Sequence, residues 1–124
     1  MEPLCQVRIT PNFRRTLEDV EVFLREAEAP QAFDALLDDL ADKVIPNLER
    51  FPEMGRDFMA RSAGSIEVAQ GLEGLRKLGA ALRLREYILS PYPLLYATSG
   101  PAVHLLAIRH HRQLSFDFAG LWGV

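Results

Sequence analysis

Residues 82–113 read LRLREYILSPYPLLYATSGPAVHLLAIRHHRQ, and this stretch decides the fold class. Leu82, Leu84, Glu86 and Ile88 alternate with Arg83, Arg85, Tyr87 and Leu89, the period of two expected of a β-strand. The Ser90-Pro91-Tyr92-Pro93 cluster ends that strand in a turn. A second strand is expected over Leu94–Thr98, a turn at Ser99-Gly100-Pro101, and a third strand over 102–113. The result is a three-stranded antiparallel meander.

Upstream, the period changes. Gln6–Ile9 alternates polar and apolar residues and reads as a short strand before Thr10-Pro11, a helix cap followed by a proline suited to the first helical position. Phe13, Leu17, Val20, Leu24 and Ala27 then form one apolar stripe. After Ala29-Pro30, a second helix carries Phe33, Leu36, Leu37, Leu40, Val44, Leu48 and Phe51 on one face and Asp34, Asp38, Asp39 and Asp42 on the other. Pro46 removes a backbone donor inside it and is expected to kink it or end it early. Pro52 to Arg56 reads as a turn, and residues 62–79 as a shorter, glycine-interrupted helix. The fold class is therefore α+β: an N-terminal strand, a two-helix hairpin, a short helical insert and the meander, in one domain spanning 1–124.

Composition narrows the function. Hydrophobic residues make up 48% and charged residues 25%, the balance of a chain with a packed core. The longest apolar stretches fall short of the roughly 18 residues of a membrane helix, and the N-terminus lacks a secretory pattern, so the chain is expected in the cytoplasm. Cys5 is the sole cysteine, which excludes an internal disulfide and a cysteine-based zinc site. A net charge of −3 conceals a polarity: residues 1–75 hold eight Lys/Arg against fifteen Asp/Glu, whereas residues 76–112 hold six against Glu86 alone.

That basic segment contains the residue types for metal-free phosphodiester chemistry. Histidine titrates near neutral pH and arginine grips phosphate oxygens, so Arg109, His110, His111 and Arg112 are candidate catalytic groups. Arg83 and Arg85, on one face by spacing, and Tyr87 are candidate RNA-binding residues. On a continuous strand, Arg109 and His111 would share one face and His110 would take the other, which leaves no shared metal site. The plainer role of Glu86 is an ion pair with a cross-strand arginine, and of His104 a structural one. No phosphate loop, nucleophile elbow or cofactor motif is present.

The stretch Leu84–Phe118, LREYILSPYPLLYATSGPAVHLLAIRHHRQLSFDF, resembles the C-terminal half of RelE/ParE-type toxins, and Pro52-Glu53-Met54-Gly55-Arg56 is similar to the family's Pro-x-x-Gly-Arg turn. The resemblance implies paired helices on one face of a four-stranded antiparallel sheet whose other face is concave. It implies a partner antitoxin that wraps the toxin. It also implies one of two targets: messenger RNA, cut on the ribosome, or DNA gyrase, blocked without catalysis; a non-toxic antitoxin-binding remnant is the third alternative. In the ribonuclease members the end of the last strand supplies an arginine and, in some, a histidine or tyrosine; Arg109 and His111 match, with Arg112 next, while Phe116 stands near the place of a functional tyrosine.

Overall fold

The computed structural model describes residues 4–57 and 83–113; the expected helix over 62–79 and the apolar tail after Leu114 lie outside them. Strand β1, Gln6–Ile9, leads into helix α1, Pro11–Glu26. Thr10 is the N-cap: its Oγ1 accepts the Phe13 N–H at 3.1 Å and donates to the Leu105 carbonyl at 2.7 Å, so one hydroxyl starts the helix and ties it to the sheet. The buried face of α1 carries Phe13, Val20 and Leu24, with Leu17 partly buried, whereas Ala27 is an exposed C-cap.

The second helix runs as α2, Gln31–Asp39, a π-helical segment, Leu40–Val44, and α3, Ile45–Arg50. Pro46 neither breaks nor ends it. The Ile45 N–H reaches five residues back to the Leu40 carbonyl, and this wider turn admits the proline at the start of α3. Leu36, Leu40, Val44 and Leu48 are all buried. A strict spacing of four drifts by roughly 40° per step on an ideal α-helix, and the π turn absorbs that drift. Leu37 and Phe51, expected on the buried face, are exposed instead: Leu37 lies one step round from Leu36, and Phe51 is the C-cap, already out of the helix.

The sheet has five strands and is mixed, in the order β1-β5-β4-β3-β2, where β2 is Arg56–Asp57, β3 Arg83–Leu89, β4 Tyr92–Ser99 and β5 Ala102–Ile108. β3, β4 and β5 form the expected meander, but it is part of a larger sheet: β1 runs parallel to β5, with the helices supplying the crossover, and β2 adds an antiparallel edge. A register shift places Leu95 opposite Ala107 and Tyr96 opposite Leu105, which makes Leu106 the additional residue of a β-bulge. Val103, Leu105 and Ile108 consequently all pack on the helices. The bulge is served from α1: Asn12 Nδ2 donates to the Leu106 carbonyl at 2.8 Å, and the Ile108 N–H donates to Thr16 Oγ1 at 3.1 Å.

The core joins Phe13, Val20 and Leu24 to Leu36, Leu40, Val44 and Leu48, and to Tyr92, Leu94 and Tyr96 of β4. On the opposite face, which the family resemblance led us to expect open and concave, Leu84, Leu95, Ala97 and Ala107 are buried as well. Among the described residues no helix is long and apolar enough to cross a membrane.

Candidate functional site

The residues of the basic segment occupy three separate places. Arg83 and Arg85 share a face of β3, as their spacing requires, but it is the face of Tyr96, which belongs to the helix-side core. Arg83 is exposed at the strand's start. Arg85 Nη1 donates to the carbonyls of Glu53 at 3.1 Å and Gly55 at 2.8 Å, so its guanidinium is a clamp on the loop after α3. Tyr87 is half-buried against the core, and its hydroxyl accepts from Asn47 Nδ2 at 3.2 Å. Its ring lies on the helix side and does not form a stacking platform on an open sheet face.

The same loop is fastened a second time. The buried Tyr96 hydroxyl accepts the Gly55 N–H at 2.8 Å and donates to the Pro52 carbonyl at 2.9 Å. A Cβ on Gly55 would stand 2.6 Å from that hydroxyl and 2.9 Å from the Glu86 carbonyl, which is the physical reason the Pro-x-x-Gly-Arg turn needs its glycine. Arg56 follows and pairs with the buried Glu86 at 2.8 Å, the cross-strand ion pair expected for that carboxylate, from an arginine on β2. This rigid turn holds Phe51 and Met54 exposed. Sequence reasoning treated it as a connection; its signal was the glycine and arginine one residue apart.

The second place is the end of β5. The strand stops at Ile108 rather than continuing to Gln113, so the alternation expected for residues 109–112 does not apply. The Arg109 N–H bonds to the Pro93 carbonyl and the His111 N–H to the Pro91 carbonyl, and the chain then turns, with the Gln113 N–H on the His110 carbonyl at 2.9 Å. Arg109 Nη1 reaches the carbonyls of His110, His111 and Gln113, nearest at 2.8 Å to Gln113. His110 and His111 do not point to opposite faces: their rings stack with centroids 4.5 Å apart.

His110 also packs on Phe23 of α1 at 4.9 Å and edge-on to Tyr92 at 5.4 Å. Burial, and then the neighbouring His111 and Arg112, push its pKa below the ordinary value, so the imidazole is held neutral. His111 and Arg112 are exposed. His104, the third place, is half-buried beside Arg8 of β1, in register with it; burial and then Arg8 lower its pKa as well.

Arg85 and Arg109 therefore grip different loops. What stands free for contact at the end of β5 is the pair His111 and Arg112. Among the described residues no three His, Cys, Asp or Glu side chains are grouped to hold a metal ion. A family model described as ParE toxin of type II toxin-antitoxin system, parDE, matches residues 7–115. That match covers most of the chain, and the protein belongs to the ParE toxin family, in which a toxin is paired with an antitoxin. No curated protein matches the sequence.

Proposed function

We propose that this member of the ParE family arrests growth by binding DNA gyrase, without carrying out a covalent step of its own. The observation that carries the reading is the engagement of two of the candidate phosphate-binding arginines: Arg85 and Arg109 each donate to carbonyls of the protein itself. A ribonuclease of this fold needs cations and a proton carrier converging on one open surface. Here the sheet face opposite the helices is buried at Leu95 and Ala107, and His110 is packed against Phe23. The family match supports the gyrase branch.

A second reading, cleavage of ribosome-bound messenger RNA through Arg109, His111 and Arg112 with His110 beside them, is favoured by the exposure of His111 and Arg112 side by side at the end of β5. Pulse-labelling after induced expression separates the two. On the gyrase reading DNA synthesis falls before protein synthesis, and His111→Gln leaves growth arrest intact. Protein synthesis failing first, together with loss of arrest in His111→Gln, would replace the gyrase reading by cleavage; undisturbed growth would make the chain an antitoxin-binding remnant.

A further inference from the structure

We propose that His110 is a pH-operated clasp: neutral, it holds the 109–113 turn against the helical layer, and a proton on Nδ1 releases the turn. The geometry is specific to one protonation state. His110 Nδ1 accepts the Arg112 N–H at 3.1 Å, which requires a ring unprotonated at Nδ1 and carrying its hydrogen on Nε2. The backbone of the same residue is engaged at both ends, its N–H donating to Gln113 Oε1 at 2.7 Å and its carbonyl accepting the Gln113 N–H. One imidazole thus couples a turn of the chain to α1 through Phe23 and to β4 through Tyr92.

A proton on Nδ1 sets two donors face to face and adds a cation beside His111, Arg112 and Arg109. The groups on the other packed elements do little to offset this. α1 presents the Phe23 ring, and the carboxylates nearest along its surface, Asp19 and Glu26, are exposed to solvent, where screening is strong. β4 presents Tyr92, whose burial raises its pKa and keeps its hydroxyl neutral. The face of Phe23 favours a cation, but burial and the neighbouring charges prevail, since the His110 pKa lies below 6.5. The sign follows: a depressed histidine binds fewer protons folded than unfolded, so its contribution to holding the turn is complete above the unfolded value of 6.5 and is lost as pH falls through the folded one. The exposed side chains of His111 and Arg112 ride on this turn, so its release changes the surface the protein presents there.

The test is a side-chain 15N titration of the full chain from about pH 8 to about pH 5, spanning the ordinary histidine range. The expected result is a neutral Nε2–H tautomer of His110 at the alkaline end and a midpoint below 6.5. The Arg112 amide and the Phe23 and Tyr92 rings should shift with that same midpoint. In His111→Gln, which removes one neighbouring charge, the His110 midpoint rises. A Nδ1–H tautomer at the alkaline end, a His110 titration that leaves Arg112 and Phe23 unmoved, or a midpoint unchanged in His111→Gln would each overturn the proposal.

Discussion

Gly55 and Tyr96 show how much of this protein rests on single atoms. The tyrosine hydroxyl sits under the 52–55 loop, with a donor on one side and an acceptor on the other, and the glycine leaves it just enough room. Gly55→Ala forces a methyl against a fully buried ring that two hydrogen bonds hold in place, and the Glu86 backbone blocks the other side. A loss of about 2 kcal/mol in denaturant unfolding is expected, within the range of overpacked interiors. Tyr96→Phe leaves the Gly55 N–H and the Pro52 carbonyl without their partner and is expected to cost a similar amount, roughly 1–3 kcal/mol. Either variant unfolding at the wild-type midpoint would show that the loop is not held in this way. Glu86 was legible from sequence as half of an ion pair, because a lone carboxylate in a basic segment has few alternatives; its partner Arg56 was not, because a two-residue strand leaves no periodic trace.

Helix and strand identities were legible from the periodicity: α1, α2 and β3 stand where it marked them, although Ala27, Leu37 and Ile88 of those patterns are exposed. What escaped was a set of local irregularities. Leu105, Leu106 and Ala107 are all apolar, so nothing in the sequence marks where the bulge inverts the alternation, and every face assignment downstream of it depended on that marker. Asn12 and Thr16, polar residues on the buried face of α1, were the trace the bulge left elsewhere. The candidate site inherited the error: a strand extended past Ile108 put His110 and His111 on opposite faces, whereas their rings lie against each other.

The end of α1 offers a test at this scale. Ala29 N–H bonds to the Leu24 carbonyl and Glu28 N–H to the Arg25 carbonyl, a Schellman closure with Glu28 in the left-handed region at φ 61. A side chain there carries a penalty that glycine avoids, partly offset by glycine's greater freedom when unfolded. Glu28→Gly is therefore expected to stabilise the fold by about 0.5–1 kcal/mol, read as a higher denaturant midpoint at unchanged slope. A lower midpoint would contradict the assigned closure.

Among the described residues, the basic side chains of the charge-polarised sequence are spread over separate places. The arginines expected to form a phosphate site divide: Arg85 holds the loop after α3 and Arg109 the turn after β5, while Arg83 and Arg112 are exposed. The 51–55 loop, pinned by Tyr96, is a place from which the exposed side chains Phe51 and Met54 can meet a partner at low entropic cost.

The measurement that tests this most directly sets the purified protein, free of antitoxin, beside two substrates in parallel: relaxed plasmid with gyrase and ATP, and messenger RNA on translating ribosomes. The account predicts loss of supercoiling with the RNA intact. Supercoiling that proceeds unhindered while the RNA is cut would contradict it.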